Sequence, residues 1–216
     1  AQEEKFCALV DMVERTELNA IVVDVKGDSG RLAYQSQSPL AVEIGAEVEG
    51  WMDLRELLRL CQERGIYTVA RLVVFKDSVL AAGRRDLAVV RSDGSLFADG
   101  KGSLWVDPFR EEVWEYNIAI AQEVAALGFD ELQFDYIRFP TDGQVRSLIY
   151  SQPSTEEARF QAIGGFMARL QAALKQQPVF LSADLFGLTA WVDNEANIGQ
   201  MVENVAPYVD YLSPML

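Results

Sequence analysis

Leu132-Gln133-Phe134-Asp135-Tyr136-Ile137-Arg138-Phe139-Pro140 has the length and the aromatic and β-branched content of a buried strand, closed by a proline that cannot continue a sheet ladder. Alternation places Gln133, Asp135 and Ile137 on one face and Leu132, Phe134 and Tyr136 on the other. A carboxylate inside such a strand is costly unless it is paired or used. Asp135 therefore carries the functional question.

Outward from this stretch, four more segments read as strands: Ala20–Lys26, Ile66–Phe75, Val179–Asp184 and Val209–Ser213. Helical patterns lie before and between them. The first covers residues 2–16, with Phe6, Leu9, Val10 and Val13 at helical spacing. Asp53 with Glu56 opens a second that stops at Gly65, and Ser154 with Glu157 opens another that runs to about Gln176. Asp107 and Pro108 start a helix that ends at Gly128, with Glu111 and Glu112 set against its dipole. Asn197 with Gln200 starts a short one. The longest excursion, Lys76–Asp107, holds a small hairpin turning at Ser92-Asp93-Gly94-Ser95.

Strands alternating with helices imply parallel pairing with right-handed crossovers. The fold class expected is α/β, a TIM-type (β/α)8 barrel within a single domain covering residues 1–216. A complete barrel needs about 250 residues. This chain opens on a helix and stops on a strand, so the first strand and the last strands are expected to be missing. The rival, a doubly wound sheet, wants a glycine-rich phosphate loop after its first strand. Lys26-Gly27-Asp28-Ser29-Gly30 does not match that pattern.

A net charge of -14 speaks against nucleic acid and anionic membrane surfaces as partners. No apolar run approaches the roughly 18 residues of a membrane span. Histidine is absent, which removes Ser-His-Asp and Cys-His nucleophile systems and His-ligated zinc. The two cysteines, Cys7 and Cys61, read as buried free thiols. No cofactor and no resident metal is expected, and oligomeric state is not legible.

Polar side chains gather at the C-terminal ends of the expected strands, where an α/β barrel builds its active site. They are Asp24, Lys26 and Asp28; Lys76 and Asp77; Asp135 and Arg138; Ser182 and Asp184; and Ser213. Asp130 and Asp210, at strand starts, read as turn residues. Two carboxylates on neighbouring rim positions suit glycosidic bond hydrolysis, one as nucleophile or base and the other held protonated as general acid. Arg138 near Asp135 would favour its charged form, whereas Asp184, flanked by Leu185 and Phe186, is the better candidate for the acid. Asp24 and Lys26 share a strand face by alternation and would orient substrate with Arg138 and Ser213. Trp105, Phe186 and Trp191 could stack on sugar rings. Two other readings stay open: a barrel that binds carbohydrate without cleaving it, and a divalent-metal hydrolase with Asp24, Asp28, Asp135 and Asp184 as oxygen ligands.

Four segments carry a resemblance to a known family: Asn19–Gly30, Trp105-Val106-Asp107-Pro108, Phe129–Pro140 and Leu212-Ser213-Pro214-Met215. Together they resemble the glycoside-hydrolase-like domain family DUF4015, related to barrels with an FDYIRYP-type fourth strand. The resemblance implies an (α/β)8 barrel acting on polysaccharide in bacteria, outside the cytoplasm or in the cell envelope. It also implies Asp135 as nucleophile on the fourth strand and Asp184 as acid/base on the next, where amylase-like barrels have a glutamate.

Overall fold

The computed structural model describes residues 2–48, 53–191 and 197–215. Five parallel strands form one sheet: β1 (Ala20–Lys26), β2 (Tyr67–Val73), β4 (Glu131–Asp135), β6 (Phe180–Phe186) and β7 (Tyr211–Met215), in that spatial order. A separate antiparallel pair joins β3 (Val90–Arg91) to β5 (Leu148–Ile149). The helices are α1 (Gln2–Arg15), α2 (Pro39–Glu43), α3 (Leu54–Glu63), α4 (Ser78–Gly83), α5 (Glu111–Ala125), α6 (Glu156–Leu174) and α7 (Val202–Val205). The α/β order with a parallel sheet is thus the one expected. Among the described residues β1 and β7 are its two edges, and no ladder joins them.

One face of the sheet is apolar and sealed by helices. Ala70, Leu72, Leu132, Phe134, Leu181 and Ala183 alternate onto it and are buried. They meet a helical layer that includes Val113, Ile120 and Val124 of α5 and Ile163, Phe166, Met167 and Leu170 of α6. Burying each of the leucine, isoleucine, valine, methionine and phenylalanine side chains in this seam contributes about 1.5–3 kcal/mol. The opposite face holds Arg71, Gln133, Asp135, Ser182 and Asp184 in the middle strands. Towards the edges it exposes Val22, Phe180 and Tyr211.

The lower ends of the strands are pinned as expected. Asp130 Oδ2 accepts from the Thr68 N–H and hydroxyl, both at 2.7 Å, and Asp210 Oδ2 accepts from the Leu181 N–H at 2.8 Å. Asp53 caps α3 by accepting from the Arg55 N–H, and Thr155, one residue after the expected Ser154, caps α6.

Four local readings need correction. Helix α5 begins at Glu111 because the Asp107 carboxylate is engaged earlier, accepting from the N–H groups of Phe109 (3.0 Å) and Ser151 (2.7 Å). The turn at 91–95 forms, but β3 takes β5 as its ladder partner, with only a single bridge from Val90 to Leu96. Residues 197–199 form turns rather than a helix start. Gln200 is buried and bridges strand ends, accepting from the Phe186 N–H at 3.0 Å while its amide reaches the Ile137 and Asp184 carbonyls. Cys61 is buried as expected, but Cys7 is exposed, and both are free thiols.

Candidate active site

The last residue of β4 is Asp135, and the chain leaves the sheet there through Tyr136 at φ +52°. A tyrosine in the left-handed region costs about 1–2 kcal/mol and persists only where its surroundings enforce it. Here the carbonyls on either side of that bend are held by β2's continuation: Val74 N–H donates to Asp135 O at 2.9 Å and Phe75 N–H to Tyr136 O at 3.2 Å. The bend leaves the Asp135 side chain at the rim, only 6% exposed, with Tyr136 N–H donating to its Oδ1 at 2.6 Å.

The cation beside Asp135 is Arg71, a residue the sequence reading passed over. Arg71 pairs in register with Asp24 on one side and Gln133 on the other, so it faces the open side of the sheet. Its Nε donates to Asp135 Oδ2 at 3.0 Å, and its Nη2 bonds the same oxygen. Nη1 donates to Asp24 Oδ1 at 2.7 Å, and Nη2 also reaches Asp28 Oδ1 at 3.0 Å. Lys76 stands 3.6 Å from the other Asp28 oxygen, with its ammonium over the Tyr136 ring. Three of the four carboxylates that a divalent ion would need thus converge on a guanidinium, and a metal would have to displace it.

Asp184 lies next to Asp135 on the neighbouring strand: the β4–β6 ladder pairs Phe134 with Ala183, one position before both. Asp184 is 8% exposed. Burial first, and then the neighbouring Asp135, push its carboxyl up to about 7, against the pull of Arg71 and of a hydrogen bond with Ser213. Ser213 is the register partner of Asp184 on β7, and its hydroxyl accepts from Gln133 Nε2 at 3.3 Å.

The other expected site residues divide. Asp24, Asp135, Asp184 and Ser213 come together on the open face. Lys26 does not, because a β-bulge between Asp24 and Lys26 breaks their shared parity: Asp24 pairs with Arg71, while Lys26 pairs with Leu72 on the helix side. Lys26 is fully buried there, 2.7 Å from Asp77 Oδ2, donating also to the Val73 carbonyl and to Asn117 Oδ1. Trp105 is buried too, its Nε1 donating to Asp99 Oδ2 at 3.1 Å, its ring steeply inclined to that of Tyr136 and covered by Arg138, so it offers no face to a sugar. Trp191 is 83% exposed after β6. Arg138 stacks among Trp105, Tyr136 and Phe186 rather than bonding Asp135. Beside it opens a cleft of about 670 Å³ walled by Pro140, Thr141, Arg146, Tyr150 and Phe186.

In sequence, the model of the family DUF4015, described as "Putative glycosyl hydrolase domain", matches residues 1–216. No curated protein matches. Among solved structures, a hypothetical protein from Ruminiclostridium thermocellum ATCC 27405 is 36% identical at a TM-score of 0.74, covering 84% of this chain and 91% of that one. The α-galactosidase TtGalA from Thermus thermophilus, in complex with stachyose, is 17% identical at a TM-score of 0.59, covering 95% of this chain and 38% of its own. The GH20 exo-β-N-acetylglucosaminidase from Vibrio harveyi is 13% identical at 0.60, covering 98% of this chain and 38% of its own. The chain therefore spans well under half the length of these two enzymes, and at such identities the likeness is one of fold.

Proposed function

This chain belongs to the DUF4015 family, and on that premise we propose that it hydrolyses glycosidic bonds in a polysaccharide, with Asp135 as nucleophile and Asp184 as general acid/base. The observation that carries the reading is the contrast between two adjacent carboxyls. Asp135 is tied to a guanidinium, whereas Asp184 is buried beside it with its carboxyl pushed up to about 7.

The chemistry follows from that contrast. Arg71 grips Asp135 Oδ2 and the Tyr136 N–H grips Oδ1, which fixes the carboxylate for attack on an anomeric carbon. Asp184, holding a proton near neutral pH, delivers it to the leaving oxygen and then draws one from the incoming water. Neighbouring strands stand about 4.8 Å apart. That spacing suits the short separation, about 5–5.5 Å, of a retaining double displacement. Asp24, held by Arg71 and more than half exposed, is placed to meet sugar hydroxyls from β1.

Turnover tests the reading. The chain is incubated with a panel of polysaccharides and newly formed reducing ends are measured. Product formation is expected, with the anomeric configuration kept. Saturable binding without product on any of them would make this a sugar-binding module instead.

A further inference from the structure

Among the described residues, Arg138 is a buried cation without a counter-ion. It is 9% exposed, and its guanidinium carbon lies 4.8 Å from the ring centre of Phe186, 5.0 Å from Trp105 and 5.1 Å from Tyr136. Its Nη1 donates to the Phe139 carbonyl at 3.0 Å and reaches Thr141 Oγ1 at 3.5 Å. Nε and Nη2 have no hydrogen-bond partner among the described residues. Asp135, Asp99 and Asp142 act on this guanidinium only from beyond ion-pair distance, and the larger effect, burial, weakens its hold on the proton. Arg71, on the same rim, is bonded to three carboxylates.

Ring faces compensate a desolvated guanidinium only in part, because its burial costs more than they return. They also satisfy only its flat sides. The in-plane N–H groups still need an acceptor, and a planar fork of that kind matches a carboxylate.

The adjoining cleft has the same preference. Thr141 and Phe186, which contact Arg138, also wall this cleft, and Arg146 stands exposed along it. Among the described residues that line it there is no aspartate or glutamate, in a chain of net charge -14. Its volume of about 670 Å³ is within the range of ligand sites.

We propose that the glycan taken by this site is acidic, and that Arg138 holds the carboxylate of a uronic-acid-type sugar bound beside Asp135. That a glycan is the ligand rests on the glycosidase reading of this site, but its binding is separable from its cleavage.

The experiment is calorimetric titration of the full chain with oligomers of galacturonate, glucuronate and mannuronate, their methyl esters, a neutral hexose oligomer and a sulfated one. At least one uronate oligomer is expected to bind about tenfold or more tightly than its methyl ester, a preference that Arg138→Met abolishes and Arg138→Lys partly restores. Equal affinity for acid and ester in every pair overturns the proposal, as does a preference unchanged in Arg138→Met. Tighter binding of the sulfated oligomer than of any uronate also overturns it. Should Arg138→Met fail to fold, the exposed Arg146→Gln is expected to weaken uronate binding and leave neutral binding alone, and no weakening would count against the proposal. Uronate binding without hydrolysis would sink the glycosidase reading and leave this one standing. Hydrolysis of neutral glycans alone would do the reverse.

Discussion

Arg71 Nε donates to Asp135 Oδ2 at 3.0 Å, although Arg71 sits two register positions nearer the base of the sheet, where it pairs with Gln133. The long side chain climbs the open face and ends between Asp24, Asp28 and Asp135. Removing it as Arg71→Met would leave a buried Asp135 without its cation. Breaking a fully buried pair costs 3–5 kcal/mol. Because Asp24 and Asp28 are more than half exposed, the expected loss is about 2 kcal/mol, read from urea denaturation. Arg71→Lys should recover part of the stability but little of the activity, since an ammonium cannot fork.

The Asp184 carboxyl supplies a pH prediction. Its folded value of about 7 stands above the unfolded value of about 3.9, so the folded state binds the extra proton between them. Stability from this group therefore falls as pH rises from about 4 to about 7 and is flat beyond. Asp184→Asn removes that burden. Its melting temperature, relative to the unmutated chain, should be higher at pH 8 than at pH 4, and an equal difference at both would contradict the assignment.

As general acid, Asp184 also shapes turnover. The rate on a substrate with a poor leaving group should decline above about pH 7, and that limb should vanish in Asp184→Asn. A limb that persists in the variant belongs to another group.

Lys26 separates a structural role from a substrate role. It is fully buried against Asp77, so Lys26→Met should cost about 3 kcal/mol with KM unchanged, and Lys26→Met with Asp77→Asn, which keeps an oxygen for the Leu80 N–H, should recover much of the loss. A raised KM in the folded single variant would return Lys26 to the binding site.

Gly30 keeps Asp77 in place. A Cβ there would fall 1.8 Å from Asp77 Oδ1, and φ is +88°. Asp77 cannot retreat, because Lys26 and the Leu80 N–H hold it. Gly30→Ala should destabilise by about 2–3 kcal/mol, measured by thermal unfolding.

These residues also show what was legible in sequence. β1 is found at its expected bounds, because its β-branched run is bracketed by turn residues. That Asp135 and Asp184 stand on neighbouring strands and face the same side follows from strand order plus alternation. Arg71 is masked by the largely apolar segment Tyr67–Val73, although a lone charge in a buried strand needs a partner there as much as at Asp135. Alternation alone puts Lys26 on the wrong face, because a bulge adds one residue to the count and leaves no mark in composition. Position alone puts Trp105 near the rim, whereas its burial involves Asp99 and Tyr136, six and thirty-one positions away in sequence.

The account stands on Asp135 as the reacting carboxylate, and the most direct test is the turnover number of Asp135→Asn on the best polysaccharide of the panel. The side chain keeps its shape and an oxygen for Arg71 while losing its nucleophilicity. A fall of at least about a thousandfold, with substrate binding retained, is the result predicted. Turnover within a few-fold of the unmutated chain would contradict it.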